Sequence, residues 1–319
     1  MARAAFRQAR TVPPGVTTTA RVERLSRASV GRGVDAFADI AWDDPDMAIL
    51  PDDTRVRLPS FDPLSATSWY CSLPPAQQAL VGTWRAASAL RVGCDFENFL
   101  QQGLLRRALA RRGTQAEARY AHHEIIEESQ HTLMFSEYIR RSGVKPKGIA
   151  WFLRWPLGHL IPFTARHHPA MFFLLILTGE EPIDRYQRRF LAEGIEQPLL
   201  TKVMRSHVAD EARHVSFART TLAYEVTLMS RTSRQLFGLL APFVLWGAAL
   251  VMLLPPPEMA RDLAVPYQTL WEPYFSASGR SFLADMVSKP RQLLDELGLI
   301  TKPARHVWVA LGLGRDLEH

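Results

Sequence analysis

The sequence predicts an all-α protein built on a four-helix bundle with additional helices around it. Four long segments, at about 75–112, 115–142, 170–194 and 198–229, carry apolar residues at helical spacing between proline, glycine and capping residues. No stretch of useful length alternates apolar and polar residues as a half-buried strand does. The pattern Glu-x-x-His occurs twice, starting at Glu128 and at Glu211. Two such helices, facing two helices that supply one Glu each, form the dinuclear metal sites of helical bundles.

The composition is that of an ordinary globular chain. Of the 319 residues, 47% are hydrophobic and 22% are charged, which excludes a disordered chain. The formal net charge is +6, and the first 32 residues contain seven arginines but only one acid, Glu23. Because no basic stripe with interleaved aromatic residues occurs, we do not expect nucleic-acid binding.

The cysteines and the N-terminus indicate the compartment. Cys71 and Cys94 are the only cysteines, too few for a disulfide framework, and no apolar secretory segment opens the chain. We therefore expect a cytoplasmic protein. The Arg-rich N-terminus is also typical of a transit peptide, but a flexible or loosely packed arm over residues 1–40 is the favoured interpretation. Residues 41–319 would then form one domain with a C-terminal helical extension.

The first part of the chain supplies the arm and two of the long helices. The arm contains many turn-forming residues and one predicted short helix near residues 22–29. Gly113 ends the first long helix, Thr114 can cap the second, and Gly143 ends the second.

The connection between the second and third long helices is predicted to be irregular. Residues 148–169 are apolar but contain Pro156 and Pro162, which favours one or two short helices. The length of this segment suits a crossover in the bundle. Pro182 lies inside the third long helix and should kink it.

A later segment is apolar enough to be a candidate membrane-spanning helix. The run from Gln235 to Leu254 contains no charged residue and has the length of a membrane span. A helix buried in the core or in a subunit interface fits the same composition. The buried helix is favoured, because the rest of the chain has the composition of a soluble protein.

The fourth long helix carries His207, Glu211 and His214 at positions i, i+4 and i+7, which share one face. The alternative interpretation is a solvated polar face. The other positions on this face are largely apolar, and burying such a stripe is costly unless a cation binds it. We therefore predict that these three side chains are metal ligands.

The second long helix presents Glu128 and His131 on one face, again as predicted ligands. Glu124 lies on the same face, one turn earlier. It is a spare carboxylate, either outside the ligand set or in reserve for it.

The first and third helices should each supply one Glu. Glu97 is favoured on the first helix because apolar residues surround it, with Asp95 as the alternative. Glu180 and Glu181 compete on the third helix, and adjacent residues differ by 100° in direction. Glu180 is favoured because it shares its face with Phe173 and other apolar residues, but both candidates stay open.

Acids beside the predicted ligands can orient the imidazoles. We expect Asp210 to contact His131 and Glu127 to contact His214 across the bundle, because a ligating imidazole commonly donates its second N–H to a carboxylate. Arg213 can bridge to one of these acids. Carboxylates and imidazoles without a thiolate suit iron or manganese better than structural zinc.

At these residues the chain resembles the p-aminobenzoate N-oxygenase family of non-haem diiron oxygenases. The similar segments are 96–98, 127–131, 179–182 and 207–214, within a resemblance that covers about residues 35–255. His207 is its most discriminating residue, since this family has a third histidine ligand that the ordinary ferritin-like site lacks. The resemblance implies a ferritin-like all-α fold and two iron ions held by Glu97, Glu128, His131, Glu180, His207, Glu211 and His214.

The resemblance also implies a function. A small-molecule arylamine would be oxidised by O₂ through the hydroxylamine toward nitroso or nitro. The electrons would come from an external donor such as a ferredoxin or its reductase, because the chain has no flavin or nicotinamide fingerprint. The family is commonly dimeric, so a homodimer is expected.

Other functions fit parts of the same pattern. The long apolar run is compatible with hydroxylation of C–H bonds in a lipid-like substrate, or with a membrane-seated protein that holds a structural metal. An iron-binding or storage protein is the alternative of another class. No cation is obvious on the inward faces, which favours a neutral or larger amine. Arg91 or Arg185 pointing into the pocket would contradict that hypothesis.

Overall fold

The computed structural model describes residues 14–50, 53–109, 114–194 and 197–314 of the chain. Within these ranges the chain forms helices and no β-strand, which confirms the all-α class. The helices are, in order, α1 (Pro14–Arg32), α2 (Ser68–Ser72), α3 (Pro75–Leu109), α4 (Gln115–Ser142), α5 (Trp151–His167), α6 (Pro169–Ala192), α7 (Pro198–Leu228), α8 (Arg231–Leu253), α9 (Pro257–Asp262), α10 (Tyr267–Trp271), α11 (Ala277–Met286), α12 (Ser288–Glu296) and α13 (Lys302–Ala310).

Helices α3, α4, α6 and α7 form the central bundle. Helix α3 packs along α4, α6 packs along α7, and the two pairs meet through α4–α7 and α3–α6 contacts. Trp84, Tyr120, Phe173 and Phe217 are fully buried among these helices. Helix α1 covers the α4–α7 side of the bundle, whereas α5 and α8 both pack on α3 and α6.

The ends of α4 follow from local hydrogen bonding. The Thr114 hydroxyl accepts from the Glu117 N–H at 3.2 Å, and the Glu117 carboxylate accepts from the Thr114 N–H at 2.9 Å, which makes a capping box. Gly143 ends the helix with φ of 75°, a conformation that glycine adopts without steric cost. The end predicted for the first long helix, at residues 110–113, lies outside the described residues.

The connection between α4 and α6 differs from the prediction. It contains α5, one helix of 17 residues that includes both Pro156 and Pro162, instead of one or two short helices. Each proline removes a helical hydrogen bond at a cost of about 3 kcal/mol. Ile161, Thr164 and Ala165 are nevertheless buried, and this packing favours the helix over an irregular chain.

The N-terminal arm is more ordered than predicted. Residues 1–13 lie outside the described residues, but α1 extends well beyond the predicted 22–29 helix and packs on α4 and α7. Val22, Ser26 and Ser29 are buried, and Arg21 donates a hydrogen bond of 2.8 Å to Ser216 on α7. The prediction of a loosely packed arm is therefore wrong for residues 14–32. Small residues at helical spacing form the contact, and they give a weak hydrophobic signal.

Helix α8 contains the apolar run and presents two different faces. Phe237, Ala241 and Leu245 are buried on the side that packs against the bundle. Leu236 and Phe243 are more than half exposed on the other side. Of the described helices, this one alone is long and apolar enough to cross a membrane, and less than half of its most apolar window is buried.

Close packing of α3 against the preceding loop gives a test of the fold. A Cβ atom at Gly82 would lie 2.5 Å from the Val56 carbonyl oxygen, whereas one at Gly247 in α8 would meet no atom within 4 Å. We expect Gly82→Ala to lower the free energy of unfolding by about 1–3 kcal/mol through overpacking. Gly247→Ala should raise it by about 0.5–1 kcal/mol, because alanine favours a helix. Denaturant titration followed by circular dichroism measures both, and changes of the same sign would contradict the contact.

Candidate metal centre

The seven side chains predicted as ligands meet at the centre of the bundle. None of them is more than 3% exposed. Helix α3 contributes Glu97, α4 contributes Glu128 and His131, α6 contributes Glu180, and α7 contributes His207, Glu211 and His214. All four helices of the bundle therefore place ionisable groups at one buried point.

Two carboxylates occupy the middle of this cluster. Glu128 lies between two imidazoles, with Oε2 3.1 Å from His131 Nδ1 and Oε1 3.0 Å from His214 Nδ1. Glu211 Oε1 lies 3.6 Å from His131 Nδ1, 3.3 Å from His214 Nδ1 and 3.4 Å from His207 Nε2. Both carboxylates therefore lie between imidazoles of α4 and α7.

The remaining residues lie at the two ends of the cluster. Glu97 groups with His131 and His207, with its Oε1 3.7 Å from His207 Nε2. Glu180 forms a group with His207 and Glu211, and Glu124 forms one with Glu128 and His214. In each group the ligand atoms lie within 4.8 Å of one another. Glu124, the spare carboxylate of the sequence analysis, is thus part of the cluster and not outside it.

The donor set of the cluster fits metal cations. Several fully buried carboxylate oxygens have no hydrogen-bond donor among the described residues: both of Glu124, Oε1 of Glu180 and Oε2 of Glu211. A buried acceptor without a partner costs about 1–3 kcal/mol, and more when it is charged. A cation bound between these oxygens would remove that cost. Oxygen and imidazole donors without a thiolate suit iron or manganese.

Burial and mutual contacts shift the protonation of the cluster. Burial raises the pKa of Glu97, of Glu124 and of Glu180 above the usual carboxyl range. Burial also opposes ionisation of Glu128, but the neighbouring His214 and His131 outweigh it and hold its pKa below that range. For His131, burial is outweighed by hydrogen bonds to Asp210 and Glu128, which raise its pKa to about 10. His131 and Glu128 thus stabilise each other's charged forms.

The outer nitrogens of all three imidazoles are held in place. His131 Nε2 lies 3.3 Å from Asp210 Oδ2, and His214 Nε2 lies 2.7 Å from Glu127 Oε2, so both predicted contacts are present. Arg213 Nη2 donates to Glu127 at 2.6 Å and to Asp210 at 2.5 Å. One guanidinium therefore fixes the acids that orient two imidazoles.

Sequence reasoning missed two of the supporting contacts. His207 Nδ1 lies 2.8 Å from Gln187 Oε1 on α6, and the Thr132 hydroxyl donates to Glu97 Oε2 at 2.9 Å. Gln187 stands seven residues after Glu180, on the same helical face, and that spacing was the available signal. Thr132 adjoins His131 in sequence and carries no comparable signal.

The structure separates the candidates between which the sequence left a choice. Glu181 points away from the cluster and forms an ion pair with Arg219 of α7. Asp95 accepts from the Ile149 N–H at 3.0 Å and pairs with Arg91 and Arg154, so it holds the beginning of α5 against α3. Glu180 and Glu97 are the residues of each pair that face the imidazoles.

A largely apolar cavity adjoins the cluster beside Glu97, Glu180 and His207. Its lining includes Leu90, Phe96, Phe135, Ile183, Phe190 and Met252. Arg91 pairs with Asp95 and Arg185 pairs with Asp285, so neither of the two arginines named from the sequence lines this cavity. The exposed Arg57, which sequence reasoning missed because it lies in a loop without periodicity, is the one Lys or Arg in the described lining.

The fold and the cluster together define the class of this protein. A helical bundle that gathers buried carboxylates and imidazoles from four helices has the architecture of proteins that hold two metal ions. The family model of the p-aminobenzoate N-oxygenase AurF matches residues 16–298. The chain belongs to this family, whose members are helical diiron oxygenases, as the motifs indicated.

Two mycobacterial proteins are similar in sequence to this chain over most of its length. Uncharacterized protein Mb0909 of Mycobacterium bovis and uncharacterized protein Rv0885 of Mycobacterium tuberculosis are each 36% identical to it over 286 residues. The match covers 89% of this chain and 84% of each relative. A comparison with solved structures finds no significant match.

The bridging guanidinium can be tested in the metal-free protein. Arg213→Ala leaves Glu127 and Asp210 buried without their shared cation, and we expect it to lower the free energy of unfolding by about 3–5 kcal/mol. Arg205→Ala removes an exposed arginine from the same helix and should change this energy by no more than about 0.5 kcal/mol. Denaturant titration measures both variants. Equal small changes would contradict the structural importance of Arg213.

Proposed function

We propose that the protein is a cytoplasmic, O₂-dependent diiron monooxygenase that oxidises an amine, most specifically an arylamine, toward the hydroxylamine, nitroso or nitro product. The observation that carries the proposal is the third imidazole. His207 faces the cluster together with Glu97 and His131, which gives three imidazoles where the usual bundle site has two. Membership of the N-oxygenase family supports the same chemistry.

The proposed metal ligands are the seven residues already described at the centre of the bundle. Two iron ions are the proposed metals, with manganese as the alternative. When bound, the metal pair supplies the activation of O₂ with electrons from an external donor such as a ferredoxin or its reductase. Glu124, whose two oxygens have no donor within the described part of the chain, is available as a further carboxylate at the end of the cluster near His214.

Residues that surround the cluster orient the ligands and bind the substrate. Asp210, Glu127 and Gln187 each hold the outer nitrogen of one imidazole and so fix the direction of the inner one. The adjoining cavity has a volume of about 30 Å³, so its apolar lining would have to move apart to admit an aromatic ring, with the amine directed at Glu97, Glu180 and His207. Arg57 can pair with an acidic group on the far end of the substrate.

The same cavity supports a second candidate function. Its lining is mainly aliphatic and aromatic, and Met252 of the apolar helix α8 is part of it. Hydroxylation of a C–H bond in an apolar substrate would use this lining equally well. Iron storage is less favoured, because a storage site has no use for an apolar cavity beside the metals. The active form is proposed to be a homodimer.

Metal loading distinguishes the two adjacent glutamates of α6. We expect the anaerobically loaded protein to hold two irons per chain. Glu180→Gln removes a negative ligand and should weaken iron binding by at least about tenfold. Glu181→Gln removes the partner of Arg219 and should leave the iron content unchanged. Metal analysis after gel filtration measures this. Normal iron content in Glu180→Gln would remove Glu180 from the ligand set.

The reaction itself can be tested with aniline and with p-aminobenzoate. The iron-loaded, chemically reduced protein should consume O₂ and place labelled oxygen on the amine nitrogen, as read by mass spectrometry. Arg57→Ala should raise KM for p-aminobenzoate several-fold and leave that for aniline unchanged, because only the first has a carboxylate to pair. Absence of N-oxygenated product from any arylamine, with oxygen found on carbon of an apolar compound, would favour the second function.

A further inference from the structure

Helix α5 exposes an unusual amount of apolar surface. Trp151 is 81% exposed, Trp155 is 71% exposed and Phe152 is 60% exposed, and Leu160 and Phe163 add to the same helix. Exposing two indoles within five residues to water costs free energy. Soluble proteins commonly expose single apolar residues, but a group of this size on one short helix marks an interaction surface. The helix buries its other side, through Ile161 and Ala165, on the bundle.

Helix α8 adds exposed apolar residues on the same side of the molecule. Both helices pack on α3 and α6, the side opposite to α1. Leu153 of α5 and Leu250 of α8 line one surface cavity, so these parts of the two helices are neighbours. Leu236, Leu240 and Phe243 extend the exposed apolar area along α8. We call the exposed side of α5 and α8 the α5–α8 face.

The charge of the surrounding segment identifies what this face can bind. Residues 138–179, which contain α5, include six Lys or Arg residues and no Asp or Glu. Lys145 and Lys147 are exposed just before α5, and Arg154 and Arg166 lie within it. Arg140 and Arg141 pair with Glu137, and Asp95 of α3 pairs with Arg154 at 3.2 Å, so Lys145 and Lys147, just before the helix, carry the cationic excess. A partner for this face must be both apolar and anionic.

A second copy of the chain fits this requirement poorly. In a two-fold contact through α5, each copy would offer the same apolar residues but also the same cations, without acids from this segment to pair them. Tryptophan beside lysine and arginine is instead the composition of helices that lie in the interface of a membrane. The polar groups of anionic lipids would pair with the cations, and the indoles would enter the acyl boundary.

We propose that the α5–α8 face docks the protein onto an anionic phospholipid membrane. The apolar side chains of α5 and the exposed edge of α8 insert at the level of the headgroups, while Lys145 and Lys147 contact lipid phosphates. Helix α8 lies along the membrane and does not span it, because its buried face is held against the bundle. The docked face is distinct from the metal cluster, so the proposal stands independently of the reaction.

Vesicle co-sedimentation of the full chain tests this proposal. Vesicles of phosphatidylcholine with phosphatidylglycerol should bind the protein at least about tenfold more strongly than vesicles of phosphatidylcholine alone. Raised salt should release the bound protein, since screening weakens the lipid contacts. Trp151→Ser with Trp155→Ser should reduce binding at least about tenfold. Lys145→Glu with Lys147→Glu should reduce binding to anionic vesicles only.

A matched control replaces exposed apolar residues on another part of the molecule. Val30→Ser with Phe37→Ser changes residues that are 75% and 58% exposed at and just after the end of α1, and it should leave vesicle binding unchanged. Circular dichroism and gel filtration verify that every variant folds. The proposal is wrong if wild-type protein ignores anionic vesicles, or if the tryptophan variant changes only a dimer to a monomer. Peripheral docking is also contradicted if raised salt does not release the protein from the vesicles.

Discussion

The structure depends on the pairing of charged side chains that are buried at the centre of the bundle. Eight carboxylate and imidazole side chains, Glu124 included, lie where water does not reach them, and isolated ions there would cost several kcal/mol each. The bundle answers this with neighbours of opposite charge: Glu128 between two imidazoles, and Arg213 between two further acids. Removing any of these partners exposes another group to the full cost of burial.

The need to pair these buried charges also determines how the helices are aligned with one another. The imidazoles can be oriented only if Asp210, Glu127 and Gln187 reach them from neighbouring positions, so α4, α6 and α7 must keep a fixed register. A close contact also holds α3 against α6: a Cβ atom at Gly179, beside Glu180, would clash with the ring of Phe96. The small residue and the aromatic ring together place Glu97 and Glu180 at the same height in the bundle.

The parts of the molecule that depend on local spacing could be predicted from the sequence. The ends of α4 follow from Thr114 and Gly143, and a three-residue interval puts Glu128 and His131 on one face. The parts that depend on tertiary packing could not. Helix α5 tolerates two prolines because the bundle holds it, and α1 packs partly through Ser26 and Ser29, which carry no hydrophobic signal. Arg57 reaches the cavity from a loop, where no periodicity fixes the direction of a side chain.

The distribution of the cluster over the chain also has a consequence for how the protein folds. The α3–α4 pair and the α6–α7 pair each contain one Glu-x-x-His helix and one helix with a single Glu, so each is half of the cluster. The contacts that join the halves link residues 79 and 87 positions apart, His131 with Asp210 and His214 with Glu127. Such distant contacts close after the local helical pairs have formed. Pairs within one helix, such as Glu128 with His131, can therefore form early, whereas the pairs between the two halves form only when the halves dock.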